Sequence, residues 1–175
     1  MHPLSNLRSM IHRQSSIYAK DPKIALLQTC RELEVTTIAY SALGRGLLSG
    51  LIHPQRSPDD LPEKDFRRSV ERDDATNFSN ILKITDRLTA LGEKYGMTSS
   101  QVALAWLLAQ GEDNIPIPGT TKIKYLSDNL ASFNVKLSAE DVAAVHALAL
   151  QADAGHRHRY PPAFAKLLFA DTPEL

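Results

Sequence analysis

Two short glycine-bearing segments hold the residue types best suited to chemistry. The first is Ser41-Ala42-Leu43-Gly44-Arg45-Gly46, directly after the β-branched and aromatic run Val35-Thr36-Thr37-Ile38-Ala39-Tyr40. The second is Gly119-Thr120-Thr121-Lys122, directly after Ile115-Pro116-Ile117-Pro118. Glycines let a backbone approach an anion closely, and the N–H groups that open a following helix point at it. The hydroxyls of Ser41, Thr120 and Thr121 add donors, while Arg45 and Lys122 add positive charge. Two such turns on neighbouring strands can cradle a phosphate-bearing cofactor. The same spacing also fits two tight turns whose glycines serve geometry alone, and spacing does not separate the two readings.

The elements that must position these turns can be read from periodicity. Asp21-Pro22 opens a helix over 22–34, because Asp can accept from free first-turn N–H groups and Pro at the first position sacrifices no bond. Ile24, Leu27, Cys30 and Leu33 mark its buried face. The run 35–40 then reads as a strand. Residues 51–76 carry Pro54, Pro58 and Pro62 among many charges and read as a long surface loop with one short helix. From Asn77 to Tyr95, Phe78, Ile81, Leu82, Leu88 and Leu91 recur at helical spacing. Thr98 and Gln101 match a capping box in front of the apolar helix VALAWLLAQ. A short strand at 115–118, a helix at 123–132 and a last helix opened by Ser138 follow, with Val142, Val145, Leu148 and Ala152 on one stripe of that helix. Ser15–Ala19 is a further, weaker strand candidate, and 163–169 a short tail helix. Strands alternate with helices, so the expected class is α/β with parallel strands covered by helices. Ligands of such folds sit at the carboxyl ends of the strands, where both turns lie.

Composition narrows the function classes. The chain has 175 residues with 20 Lys+Arg against 20 Asp+Glu. Zero net charge gives no electrostatic case for a nucleic acid or a membrane surface as partner. No apolar stretch reaches the roughly 20 residues a membrane helix needs. The N-terminal MHPLSNLRSMIHRQ lacks the apolar run of a signal peptide. The single cysteine, Cys30, excludes an intrachain disulfide and any multi-cysteine metal site. No metal site is expected, and a soluble, cytoplasmic protein is.

The runs LLQTCRELEVTTIAYSALGRGLLSG and SSQVALAWLLAQGEDNIPIPGTTKIKYLSDNLAS resemble the seventh and eighth strand regions of the aldo-keto reductases, in the family's order. The PIPGTTK run and the tail YPP…FADTPEL are similar to a fungal branch. The resemblance covers about residues 16–152. It implies the C-terminal units of a (β/α)8 TIM barrel, and the family reduces aldehydes and ketones with NADPH. On that footing residues 1–15 form a divergent segment, 16–155 the partial barrel and 156–175 a tail.

The resemblance also implies roles. Tyr40 matches the aromatic that stacks on the nicotinamide, and Ser41, Leu43, Gly44 and Arg45 match the loop along the pyrophosphate. Gly119, Thr120, Thr121 and Lys122 match the loop that holds the adenosine 2′-phosphate, and Asp128 and Asn129 stand where the family uses Glu-Asn against the adenine. Asp128 is one methylene shorter than that Glu, and Ala42 replaces the commoner proline of SPLG. The family's proton-donating Tyr, with its Lys, Asp and His, belongs to the first half of the barrel and has no matching position here. No catalytic residue is therefore assigned. His12 falls where a nicotinamide-supporting Gln would stand and receives no role. The reading is an NADPH-dependent reductase of a small carbonyl substrate, in a fungal secondary-metabolite pathway. The alternative is a truncated, noncatalytic cofactor-binding or interaction module, whose exposed barrel edges favour self-association or pairing.

The remaining candidates have plainer readings. Cys30 lies in an apolar setting and reads as a packed core thiol. His156-Arg157-His158 is a poor ligand set and reads as solvated surface. The charged run 56–74 reads as a solvated loop, with a lid over the cofactor as the functional alternative. Trp106 reads as core.

Overall fold

The structure, a computed structural model, describes residues 10–14, 26–50, 57–70 and 75–151. Three short strands form a parallel sheet: β1 (Met10–Gln14), β2 (Thr36–Tyr40) and β3 (Asn114–Pro116), with β2 in the middle. His12 pairs with Ile38 and Gln14 with Tyr40, while Thr37 faces Asn114 and Ala39 faces Pro116. The N–H of Ile117 donates to the carbonyl of Ala39 at 3.0 Å. Because N–H directions alternate along a strand, the missing donors of Pro116 and Pro118 fall on the edge remote from β2, where they cost no ladder bond.

Among the described residues five α-helices follow the expected order: α1 (Leu26–Glu32), α2 (Ala75–Tyr95), α3 (Ser99–Leu108), α4 (Ile123–Ala131) and α5 (Ala139–Gln151). The start of α3 carries the expected capping box. The Thr98 hydroxyl accepts from the N–H of Gln101, and the Gln101 side chain accepts from the N–H of Thr98 at 2.8 Å. Ser138 caps α5 by accepting from the N–H of Asp141. α3 is apolar nearly all round because it is enclosed by α2, α4, β3 and the turn after β2. Trp106, Phe78, Leu47, Leu48, Ile81, Leu88 and Leu104 make the core, and the Trp106 indole N–H donates to the carbonyl of Val142 at 3.0 Å.

Several expectations need revision or fall outside the described residues. A strand forms at Met10–Gln14, inside the stretch read from the sequence as a divergent segment without a strand; it pairs with β2, a long-range contact that local pattern does not encode. The Ser15–Ala19 strand, the 163–169 helix and the start of α1 lie outside the described residues. Cys30 is buried as expected, but Leu33 is exposed, because α1 stops at Glu32 and Glu34 takes a left-handed φ of 55° that turns the chain toward β2. Among the described residues of the long loop, two 3-10 turns form rather than one short helix, at Pro58–Asp60 and Phe66–Ser69, with Pro58, Leu61 and Val70 buried.

Candidate functional site

The chain leaves β2 through an unusually tight path. Ser41, Gly44, Arg45, Gly46 and Gly50 all have positive φ, with 55° at both Ser41 and Arg45. A left-handed conformation costs a non-glycine residue roughly 1–2 kcal/mol, so the surroundings must hold it. They do so through several bonds. The N–H of Gly44 donates to Ser41 O and that of Gly46 to Leu43 O. The Thr85 hydroxyl of α2 donates to the carbonyl of Leu47, and the Ser99 hydroxyl of α3 donates to that of Leu48, each at 2.9 Å. From the other side, Arg67 donates to the carbonyl of Arg45 at 3.2 Å. Arg67 is itself forked onto Asp65 at 2.9 and 2.7 Å, and this bonding holds the Asp65 carboxyl below its usual range. The Arg45 guanidinium lies over the Phe66 ring, 5.1 Å from its centroid.

This fixed turn forms one wall of a cleft of about 300 Å³. Leu43, Gly46 and Ser49 come from the turn, Thr98 and Ser100 from the start of α3. The opposite wall is Gly119 and Thr120, continued along α4 by Lys124, Tyr125, Asp128 and Asn129. The two glycine-bearing turns singled out by sequence therefore face one space. Of the residues expected there, Leu43, Gly119, Thr120, Asp128 and Asn129 border the cleft. Tyr40 ends β2, and Ser41, Gly44 and Arg45 belong to the turn that leads into the wall. Thr121 and Lys122 are exposed between Thr120 and α4. The N–H of Lys122 donates to the Thr120 hydroxyl at 3.2 Å, and its ammonium stands 5.5 Å from the Tyr125 ring centroid.

Lys124 and Tyr125 were not evident from the turns, although a signal existed: they stand one helical turn before Asp128 and Asn129 and so share their face. Ser49 ends the turn itself, whereas Thr98 and Ser100 reach the cleft through the packing of α3 on the turn. Chemically the cleft offers open glycine backbone, hydroxyls, one ammonium, one carboxylate, one amide and an aromatic ring. An added Cβ at Gly119 would meet nothing within 4 Å. Backbone N–H groups, hydroxyls and a cation are the kinds of donor a phosphate group accepts from. Among the described residues no group of three His, Cys, Asp or Glu is placed to hold a metal ion, and no helix is long and apolar enough to cross a membrane.

The sequence profile of the aldo/keto reductase family matches residues 8–150. The chain is 46% identical over its whole length to aldo-keto reductase str7 of Strobilurus tenacellus, covering 50% of that protein. It is 39% identical to the aldo-keto reductase yakc [NADP(+)] of Schizosaccharomyces pombe, over 91% of this chain and 46% of that protein. The glycerol dehydrogenase AKR11B4 from Gluconobacter oxydans superposes with a TM-score of 0.71 at 25% identity, over 83% of this chain and 43% of the other. The fold is thus part of a TIM barrel, and the chain spans about half the length of the curated relatives it matches.

Proposed function

This chain belongs to the aldo/keto reductase family, and from that premise we propose that it holds NADPH in the cleft between β2 and α4 and serves the reduction of an aldehyde or ketone to an alcohol. One observation carries the reading: Leu43 and Gly46 from one turn meet Gly119, Thr120, Asp128 and Asn129 from the other across a single space. When bound, NADPH supplies a hydride to a carbonyl carbon.

In this reading the turn 41–46 lies along the pyrophosphate, with Ser41, Leu43, Gly44 and Arg45 in contact. Gly119, Thr120, Thr121 and Lys122 take the 2′-phosphate, joined by Lys124 from the cleft wall. Asp128 and Asn129 meet the adenine, and Tyr40 at the carboxyl end of β2 meets the nicotinamide ring. Hydride acceptance also needs a proton donor at the carbonyl oxygen. Tyr95 is otherwise engaged: its hydroxyl donates to Asp141 and accepts from the N–H of Ser138. Tyr125 lies at the nucleotide end of the cleft. No tyrosine among the described residues is assigned as that donor. Similarity to two fungal reductases supports a fungal-type enzyme; a part in secondary metabolism is the narrower form, resting on the likeness of the PIPGTTK run and the tail to a fungal branch.

The test is a titration of the purified 175-residue chain with NADPH, following nicotinamide fluorescence. A saturable enhancement at submillimolar NADPH is expected, and its failure to appear overturns the cofactor assignment.

A second reading, an interaction module, is favoured by one separate observation. Ile123, Leu126, Leu130 and Phe133 are all exposed, from 49% to 84%, along one side of α4 and the turn after it. Exposed apolar stripes of this kind favour self-association. Light scattering on the eluting peak distinguishes the two: a monomer over a broad concentration range removes this second reading and leaves the first untouched.

A further inference from the structure

We infer that Ser99 is a positioning residue for the dinucleotide: its buried hydroxyl clamps the carbonyl of Leu48 onto α3 and so sets the spacing between the two walls of the cleft. The inference rests on the NADPH reading above and concerns a side chain bonded to backbone rather than offered to the nucleotide.

Ser99 opens α3, yet its hydroxyl has no part in closing that helix end, because Thr98 and Gln101 already satisfy each other. It donates instead to the carbonyl of Leu48 at 2.9 Å, 51 residues away in the chain. Both ends of this bond are set among cleft residues. Leu48 lies between Gly46 and Ser49, and Ser99 between Thr98 and Ser100, and all four of those neighbours border the cleft. Ser99 and Leu48 are both buried, so solvent offers the carbonyl little alternative to the hydroxyl. The approach is also close. Gly50 has a φ of 72°, and an added Cβ there would stand 3.3 Å from the Ser99 Cβ. The opposite wall rests on the same helix, since α4 packs against α3. The bond therefore holds the left-handed turn and the α4 wall to one frame. A nucleotide that spans the cleft needs both walls at their bound separation, and fixing that separation beforehand removes an ordering cost from binding. A ligand that touches one wall gains nothing from it. In the NADPH reading 2′-AMP is such a ligand, because its phosphate meets the 119–122 turn and its adenine meets Asp128 and Asn129.

The experiment measures NADPH by nicotinamide fluorescence and 2′-AMP by calorimetry in the native chain, Ser99→Ala and Ser99→Cys, with a thermal melt of each. Ser99→Ala leaves the Leu48 carbonyl without its donor. It should weaken NADPH about fivefold, the size of one net hydrogen bond, and leave 2′-AMP at its native affinity. Ser99→Cys keeps the shape with a weaker donor, so its NADPH loss should be smaller and again confined to NADPH. It carries the comparison alone if Ser99→Ala does not fold. A serine that merely supported the fold would lower the melting temperature and move the two affinities together. Native NADPH affinity in the folded variants, or equal weakening of both ligands, overturns the inference and leaves the cofactor reading intact. If the native chain binds neither NADPH nor 2′-AMP saturably, the cofactor reading falls and this inference falls with it.

Discussion

The guanidinium of Arg67 donates to the carbonyl oxygen of Arg45 at 3.2 Å, across 22 residues of chain. That bond, with the Arg45 guanidinium over the Phe66 ring, ties the segment 57–70 to the left-handed turn that walls the cleft. The Arg67 and Asp65 side chains are only 20% and 18% exposed, so their pairing is weakly screened. Arg67→Ala strands Asp65 and frees the Arg45-Gly46 peptide. Stability should fall by about 1 kcal/mol, with NADPH binding weakened about fivefold. Arg67→Lys restores charge without the planar fork and should recover only part of either loss. Thermal melts and fluorescence titrations on the same samples check both. Native affinity in a destabilised Arg67→Ala would show that the segment supports the fold and not the cleft.

Gly119 offers a cleaner separation of folding from binding. It borders the cleft, its φ is not among the positive ones, and nothing lies within 4 Å of an added Cβ. Gly119→Leu should therefore keep the native melting temperature and still obstruct the cleft, weakening NADPH by at least about tenfold. Gly119→Ala should do less. A well-folded Gly119→Leu with native NADPH affinity would remove the 119–122 turn from the binding site.

What the sequence discloses depends on the range of the interaction. The Thr98–Gln101 box is legible because cap and partner lie three residues apart. Phe78, Ile81, Leu82, Leu88 and Leu91 are legible because one helix face collects them, and all are buried. β1 is not legible, since Met10–Gln14 becomes a strand only beside Thr36–Tyr40. Leu33 keeps the helical period but follows the last helical residue, so its side chain leaves the buried face. The cleft shows the same division. Leu43, Gly119 and Thr120 stand inside turn motifs, whereas Thr98 and Ser100 arrive there through the docking of α3 against the turn.

Asp141 ties α2 to α5 and gives the fold an acid-sensitive joint. Its Oδ2 accepts from Lys94 at 2.7 Å, from the Tyr95 hydroxyl at 2.6 Å and from the Ser138 hydroxyl at 2.9 Å. The Lys94 bond, then the Tyr95 bond, hold its pKa down at about 2. In the unfolded chain the carboxyl takes up its proton near about 3.9. The native state thus binds fewer protons than the unfolded state between those values, and acidification favours unfolding. The stabilisation is complete above about pH 5 and is lost as pH falls from about 4 toward about 2. Asp65 and Asp113, also depressed by arginine partners, contribute in the same direction. Urea midpoints measured across this range should decline in the native chain and decline less steeply in Asp141→Asn. Identical slopes would mean that the joint carries none of the acid sensitivity.

Thr37 is the position where the fold can be improved. It sits in the central strand at 0% exposure, and its hydroxyl has no hydrogen-bond partner among the described residues. A buried hydroxyl without a partner costs about 1–3 kcal/mol in desolvation. Valine has nearly the same shape and the same β-branch, so Thr37→Val keeps the strand preference and removes the cost. The expected result is a gain of about 1 kcal/mol, seen as a melting temperature higher by about 2–4 °C. Thr37→Ser, which keeps the hydroxyl and loses a buried methyl, should move the other way by about 1 kcal/mol. The pair matters because the two variants separate packing from polarity at one site. If Thr37→Val loses stability while Thr37→Ser does not, the hydroxyl is bonded in the folded protein and β2 faces a polar group on that side.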